Sequence, residues 1–523
     1  MPRIKSKNLY DLIKSLNKNE KRYFTLVASA SGSSEDKKML LLFNHINKQS
    51  EFDENIILKK SPTLKPTQLS NLKAYLFEKI LQCIRQYNAE KIPDIKIREQ
   101  IDFAQLLFER RLYALGKNSL RKAKKMAAAY NNLELQLEII KLEKSVLMHI
   151  LDDAPIEADK IIQEVQHINK QINNINIYSN LSVKLNSYYT KIGYIRNESE
   201  YLKVKEFYFS TLPSINQSEL SSIEKTYLYR LFVGYYFFIQ DFDNGYLYSQ
   251  KLVDLFESEK NLMLSGTEAY ISSLNNLLIA QYRLFKFEDF IKTNTKLQSV
   301  KDIGTLNINE NIRIRLLKYF YMHEINRYFM TGEFNLGVEK IMKEQFEQIQ
   351  TLTNMLDAHS ELVMNYKIAC LYFGAASFNN SLKWLNKIIN TTNVDIREDL
   401  HCFARIINLI CHYELGNFDV IKYYIISTYR FLLKKEDLHS FQKYILSFIK
   451  NLRTEMNESE LVERFKKLKM ELVPLIDSPY EKRAFIYFDI ISWLESKIES
   501  KPVEEIIKDK FKQRMGPAVS SQN

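Results

Sequence analysis

The sequence predicts an all-α protein built from stacked pairs of antiparallel helices, and three observations lead to this fold class. Only 12 Gly and 10 Pro occur among 523 residues, whereas β-sandwiches and nucleotide-binding α/β folds use both residues freely in their turns. No proline lies between Pro213 and Pro474, and apolar residues recur there at helical steps of three and four. A short aromatic motif also repeats along the same stretch at near-constant intervals.

Residues 1–95 do not fit this repeat and are predicted to form a small basic N-terminal helical module. A Ser-rich break at residues 29–34 and a proline-containing loop at residues 61–66 divide it into short helices. After the loop, Leu69, Leu72, Leu76 and Ile80 lie at helical spacing and predict one apolar helix face. The module therefore precedes the repeat as a separate element.

The repeated motif is a turn phenylalanine with a second aromatic residue five positions before it. The turn residues are Phe242, Phe287, Phe334, Phe378 and Phe418, at intervals of 40 to 47 residues. The residues five positions earlier are Phe237, Tyr282, Phe329, Phe373 and Tyr413. We expect Gly332 and Gly416 to end helices in the left-handed conformation. Small residues at Gly245, Gly337 and Ser381 are expected to let the two helix backbones approach.

This turn, of the form Gly-x-Phe-x-x-small with Tyr328 or Tyr372 four residues before the glycine position, resembles the tetratricopeptide-repeat (TPR) family. The resemblance covers roughly residues 180–430, and weaker helical pairs extend the array to residues 96–500. It implies an α-α superhelix in which the first helix of each pair lines a concave groove. The repeats are longer than the usual length of about 34 residues, and HEAT-like packing is the alternative. Residues 501–523 are expected to form a helix end and a flexible tail.

Within such a groove the aromatic column becomes a candidate partner-binding site. Extended peptides and partner helices bind repeat grooves through aromatic anchors. The five candidate contacts are Phe237, Tyr282, Phe329, Phe373 and Tyr413. Aromatic residues at helical spacing also fill the seams between repeats, and the sequence leaves both interpretations open.

The net excess of positive charge comes from the first quarter of the chain. The net charge is +11, yet residues 1–125 contain 26 Lys and Arg against 13 Asp and Glu. A basic quarter predicts either an anionic partner, such as nucleic acid or a ribosome, or a solvated lysine-rich surface. The candidate anion-binding patch is Arg121, Lys122, Lys124 and Lys125 on one predicted helix.

The sequence contains no recognisable catalytic, cofactor or metal motif. No glycines cluster in a phosphate-binding loop, and the pair His323-Glu324 lacks the second histidine of a zinc site. Cys402 and Cys411 are expected to pack as small apolar side chains. We therefore expect no catalytic residue, no cofactor and no metal, and a chain that is not an enzyme.

The prediction for function is a protein-interaction scaffold that binds a protein or peptide partner in the concave groove. The alternative is a nucleic-acid- or ribosome-associated regulator that uses the basic quarter. Four cysteines without close pairing indicate a reducing compartment, and no apolar run reaches membrane-spanning length. The expected location is the cytoplasm, without a membrane partner.

Overall fold

The computed structural model describes residues 6–30, 33–61, 63–64, 66–147, 154–213, 216–304, 306, 308–391, 395–435, 438–452, 458–478 and 480–516. Within these ranges the chain forms 27 α-helices and no β-strand, which confirms the predicted all-α fold class. Contacts divide the chain into two compact units, Met1–Ile168 and Asn169–Asn523. In the described ranges, no helix has both the length and the apolar character that a membrane crossing requires.

The first unit contains two separate hydrophobic cores. Its helices are α1 (Ser6–Ser15), α2 (Lys18–Ala30), α3 (Ser34–Lys48), α4 (Glu54–Lys60), α5 (Pro66–Asn88), α6 (Pro93–Glu109), α7 (Tyr113–Ala129) and α8 (Leu133–Leu147), and α9 (Ala154–Ile192) spans the boundary between the units. Helices α1 to α5 surround one core, and α6 to α8 enclose the other. The module boundary predicted at residue 95 falls between these cores and stays a prediction.

The second unit continues with helices that pack mainly against their neighbours in sequence. They are α10 (Glu198–Thr211), α11 (Ser222–Phe238), α12 (Phe242–Ser258), α13 (Lys260–Ser265), α14 (Thr267–Arg283), α15 (Phe287–Ser299), α16 (Glu310–Thr331), α17 (Phe334–Gly337), α18 (Phe346–Thr353), α19 (Ala358–Gly374), α20 (Phe378–Ile389), α21 (Glu398–Glu414), α22 (Phe418–Lys434), α23 (Ser440–Lys450), α24 (Glu458–Leu472), α25 (Ala484–Tyr487), α26 (Ile490–Ile498) and α27 (Val503–Met515). A π-helical segment, Val338–Lys343, follows α17.

Each corner of the repeat contains one left-handed residue, and the next helix begins two residues later. The predicted left-handed residues Gly332 and Gly416 have φ angles of 75° and 70°. The same position is left-handed at Gln240, Phe285 and Ala376, which are not glycine. A single left-handed residue reverses the chain, so the helices of each pair run antiparallel. The turn phenylalanine of the sequence motif is thus the first residue of the second helix.

The two glycines near these corners have a different role from the predicted one. A Cβ on Gly245 would lie 2.4 Å from the Phe237 ring, and one on Gly337 would lie 2.8 Å from the Tyr328 ring. These glycines therefore make room for an aromatic ring of the preceding helix rather than for its backbone. Ser381 is buried, and its hydroxyl donates to the Ala369 carbonyl at 2.9 Å.

The same corner also occurs in the first unit. Phe108 and Tyr113 stack with ring centres 6.2 Å apart, and Arg111 between them is left-handed. A Cβ on Gly116 would lie 2.3 Å from the Phe108 ring, which repeats the relation between Gly245 and Phe237. Gly116 itself lies inside α7, and residues 110–112 form the turn that precedes this helix.

Candidate functional sites

The five aromatic residues predicted to line a groove have different surroundings in the second unit. Phe237 packs on Phe242 with ring centres 5.9 Å apart. Tyr413 meets Phe418 at 6.2 Å, and it also contacts rings of α24 and α26. Only the middle three share one space: Tyr282, Phe329 and Phe373 line a common cavity. Their role as contacts for a partner stays a prediction.

This cavity, here named the aromatic cavity, has a volume of about 480 Å³ and lies within the second unit. Its walls come from α14, α16 and α19 and from the C-terminal part of the chain. The rings from these helices give it an apolar wall. A volume of several hundred Å³ with a few polar groups is typical of small-molecule sites.

Basic side chains dominate the polar part of the aromatic cavity. Those on its lining are Arg283, Lys367, Arg397, Lys482 and Arg514, and among the described lining residues the carboxylate is Asp489. The Asp489 side chain already caps α26, because it accepts a hydrogen bond from the Ser492 backbone N–H at 3.0 Å. The aromatic cavity therefore has an excess of positive charge.

Lys367 lies between two rings of the aromatic cavity. Its Nζ is 5.8 Å from the centre of the Tyr282 ring and 5.7 Å from that of Phe329. It donates a hydrogen bond to Asn326 Oδ1 rather than to a carboxylate. Burial lowers the pKa of Lys367 to about 7, and the positive charge of Arg283 acts in the same direction. Its amine and ammonium forms therefore coexist near neutral pH.

Arg283 presents the second cation, next to the ring of the same tyrosine. Its Cζ lies 5.1 Å from the centre of the Tyr282 ring. Its Nη1 donates to the backbone carbonyl of Ile486 at 2.9 Å. Its buried Nε has no hydrogen-bond partner among the described residues. The guanidinium thus keeps one donor without an acceptor among the described residues.

A buried ion pair, Arg397 with Asp399, stands beside the aromatic cavity. Arg397 Nη2 lies 2.7 Å from Asp399 Oδ2, and the two residues are 4% and 2% exposed. Burial by itself would lower the pKa of Arg397, but Asp399 raises it well above its usual range. Asp399 also accepts a hydrogen bond from the Tyr487 hydroxyl, so it joins α21 to the C-terminal part of the chain.

Residues 480–515, here named the C-terminal arm, cover the aromatic residues of the repeat. Phe488 meets Phe373 at 4.8 Å, and Tyr487 stacks on Phe403 at 4.4 Å. Further along, α27 lies against the corner at Gly332, where a Cβ would be 2.7 Å from the backbone nitrogen of Lys508. The arm therefore packs against aromatic residues of the repeat and against one of its corners.

Comparison with known proteins identifies no relative of this chain. No family model, no curated protein and no solved structure matches it. The structure shows neighbouring helices packed in pairs, an arrangement compatible with a helical repeat.

Helix α22 has an apolar surface that the described residues leave uncovered. It differs in this from the aromatic residues that the C-terminal arm covers. Its inner side contributes Ile421 and Leu432 to the core. On its outer side, large apolar residues recur at steps of three or four and are between 43% and 72% exposed. They are Val420, Tyr423, Ile426, Tyr429 and Leu433. An exposed helix with apolar residues on both sides is typical of a docking surface.

The exposed apolar residues of α22, together with the charged residues between them, are here named the α22 face. Lys422, Arg430 and Lys434 are exposed on it, against one exposed carboxylate in α22, Asp419. The α22 face is therefore both apolar and basic.

The predicted anion-binding patch of the first unit is only partly available. Arg121, Lys122 and Lys125 are exposed on α7. Lys124 instead forms ion pairs with Glu143 at 2.9 Å and with Glu164 at 2.7 Å. Its positive charge is balanced within the unit, which leaves three cations of the four for an anionic partner.

The histidines and cysteines considered as ligands are held by other contacts. His323 Nε2 lies 2.9 Å from Asn275 Oδ1, and burial lowers its pKa to about 3. Cys411 Sγ lies 3.6 Å from the Ser381 hydroxyl, and Cys402 is buried. Among the described residues, no group of three or more His, Cys, Asp and Glu side chains could hold a metal ion.

Sequence reasoning missed the cations of the aromatic cavity, the C-terminal arm and the α22 face. The sequence contained a signal for the α22 face, because residues 418–434 have apolar residues on every side of the helix. A signal also existed for Lys367, which is the charged residue within residues 362–374 of α19. The arm carries no local pattern, since its contacts join residues far apart in sequence.

Proposed function

We propose that this chain is a non-catalytic protein-interaction scaffold and that the α22 face is its partner-binding surface. The observation that carries this proposal is the row of five exposed apolar residues on a helix whose opposite side is already buried. Monomeric proteins seldom leave such a continuous apolar surface in water, because burying it is favourable.

The partner that fits the α22 face is an acidic amphipathic helix of another protein. The apolar residues would pack against its apolar side, and Lys422, Arg430 and Lys434 would pair with its carboxylates. A second copy of this chain fits less well. In a symmetric dimer the same basic residues would meet each other, and like charges repel.

We also propose the finer assignments made from the sequence. The recurring corner, with its left-handed residue and its two aromatic residues, supports a TPR-like repeat in the second unit. The four free cysteines support a cytoplasmic location. A nucleic-acid or ribosome partner for the first unit is the second candidate function, favoured by the exposed Arg121, Lys122 and Lys125.

The test uses a synthetic amphipathic peptide with leucines on one side and glutamates on the other, labelled for fluorescence anisotropy. We expect it to bind the full-length chain, and we expect Leu433→Glu or Tyr423→Glu to weaken binding by about tenfold or more. The matched control is Val183→Glu, which alters a residue of similar exposure (70%) on α9 and should leave affinity unchanged.

Two outcomes would overturn the proposal. One is equal binding of a peptide in which lysine replaces every glutamate, because charge complementarity would then be absent. The other is a wild-type dimer in sedimentation velocity that Leu433→Glu dissociates, because the α22 face would then be a contact between copies.

A further inference from the structure

We infer that the aromatic cavity is a binding site for a small carboxylic acid with an apolar body. This inference is independent of the α22 face and of any protein partner. It rests on three features of the second unit: the volume of the aromatic cavity, two cations on its lining, and walls of aromatic rings.

The volume sets the size of the ligand. A cavity of about 480 Å³ accommodates a molecule with an aromatic ring and a short chain, and it is too small for a folded segment. The rings of Tyr282, Phe329 and Phe373 come from three successive first helices, α14, α16 and α19. They would cover the apolar body of the ligand on several sides.

The two cations on the lining indicate that the ligand is an anion. Lys367 Nζ and Arg283 Cζ both lie within 5.8 Å of the centre of the Tyr282 ring, on the lining of the aromatic cavity. Two neighbouring cations that face one space repel each other, and an anion between them would remove this cost. The nearby ion pair does not supply such an anion, because Asp399 is already bound by Arg397 and Tyr487.

The unpartnered nitrogen of Arg283 indicates the chemical type of the ligand's headgroup. Nη1 is bound to the Ile486 carbonyl, whereas the buried Nε has no partner among the described residues. Nε and Nη2 together form the edge of a guanidinium that matches the two oxygens of a carboxylate. Lys367 would add a third donor to the same headgroup.

An aromatic cage alone could instead indicate a cationic ligand, since such cages bind ammonium groups. In the aromatic cavity that position is already occupied, because Lys367 Nζ lies between Tyr282 and Phe329. A second cation would meet Lys367 and Arg283 at short range. The geometry therefore favours an anion.

The experiment is isothermal titration of the full-length chain with 4-phenylbutyrate, its neutral amide and 4-phenylbutylamine. These probes share one apolar body and differ in charge. We expect one site per chain for the carboxylate, with at least about tenfold weaker binding of the other two. N-acetyl-Gly-Gly-Phe with a free carboxylate is a fourth probe in the same titration. Tighter binding of this peptide would assign the carboxylate to a peptide terminus, whose chemistry is the same.

Lys367→Met and Arg283→Met are the variants that test the site. Each replaces the cation with an unbranched, uncharged side chain, and each should weaken phenylbutyrate binding by about tenfold or more. Thermal melting establishes that they fold, and Val183→Glu, at an exposed position on α9 outside the aromatic cavity, is the control that should bind as the wild type does. Equal binding of the amine, or full affinity in a folded Lys367→Met variant, would overturn the inference.

Discussion

The aromatic cavity and the α22 face are built from the same kinds of residue and have opposite surroundings. In the aromatic cavity, tyrosines, phenylalanines and cations face inward, and the C-terminal arm covers them. On the α22 face, tyrosines, aliphatic residues and cations face solvent. The contrast shows that aromatic spacing alone does not distinguish a binding surface from a filled seam. The distinction depends on whether other parts of the chain cover the aromatic residues.

The two regions also differ in how tightly the fold constrains them. Around the aromatic cavity a substitution disturbs ion pairs, ring contacts and the arm together, so effects on stability should be large. On the α22 face each side chain projects into water, so stability should change little while binding changes strongly. The following variants test this difference, from the largest expected effect to the smallest.

Asp399→Ala should have the largest effect on stability. It leaves Arg397 charged and buried without its partner, which costs about 3–5 kcal/mol in the free energy of unfolding. Urea unfolding followed by circular dichroism measures this change. The control is Glu463→Ala, which breaks an exposed ion pair with Lys466 at 2.7 Å and should cost about 0.5 kcal/mol or less. Similar losses in the two variants would contradict the assigned role of the buried pair.

Gly332→Ala should come next, and it tests how firmly the arm is attached. A methyl group there meets both the left-handed conformation and the backbone of α27, whose Lys508 nitrogen would lie 2.7 Å away. We expect a loss of more than about 2 kcal/mol and faster proteolysis after α26. Gly416→Ala has a similar φ but open space, with the nearest atom at 3.9 Å, and should cost about 1 kcal/mol. Equal losses in the free energy of unfolding of the two variants would mean that α27 does not pack tightly against the corner at Gly332.

The affinity of the aromatic cavity for phenylbutyrate should fall as pH rises. Lys367 has a lowered pKa of about 7, so it is an ammonium at pH 6 and mostly a neutral amine at pH 8.5 in the free protein. Binding the carboxylate then requires proton uptake, and affinity should decrease by about tenfold or more between these values. Lys367→Arg should remove the dependence, because arginine stays charged. A flat profile in the wild type would exclude Lys367 from the site.

Besides its tyrosines, the other charged or titratable groups that face the aromatic cavity are Arg283, His323, Cys370, Arg397, Lys482, Asp489 and Arg514. The pKa values of His323 and Cys370, about 3 and about 12, lie far outside this interval, owing to burial. The fall in affinity between pH 6 and 8.5 is therefore assigned to Lys367.

Leu433→Glu should have the smallest effect on stability. Leu433 is 59% exposed, so the change should stay within about 0.5 kcal/mol, measured by urea unfolding. The adjacent Leu432 is fully buried, and Leu432→Glu should cost more than about 3 kcal/mol because a charge enters the core. A large loss in Leu433→Glu would mean that another part of the chain covers the α22 face.

Much of the fold was predictable because it depends on local pattern. Helical periodicity and the absence of proline identify the helices, and the aromatic pairs identify the corners at Gly332 and Gly416. The left-handed corners at Gln240 and Phe285 were not predictable, since these residues seldom adopt that conformation. There, the packing of the two helices outweighs the local preference.

The candidate sites were less predictable because they depend on distant contacts. Tyr282, Phe329 and Phe373 were found from their spacing, but Phe237 and Tyr413 share that spacing and lie outside the aromatic cavity. The contact of Phe373 with Phe488, more than a hundred residues away, does not follow from that spacing. Lys124 similarly resembles its neighbours in sequence, and only the fold pairs it with Glu143 and Glu164.

The most direct test of the separation between the two regions is hydrogen–deuterium exchange of the full-length chain with the acidic amphipathic peptide at saturation. The proposed scaffold function predicts slower exchange confined to α22 and its immediate contacts, with exchange around the aromatic cavity unchanged. Protection of α14, α16, α19 and the C-terminal arm with no change in α22 would contradict it, and would place the partner in the aromatic column instead.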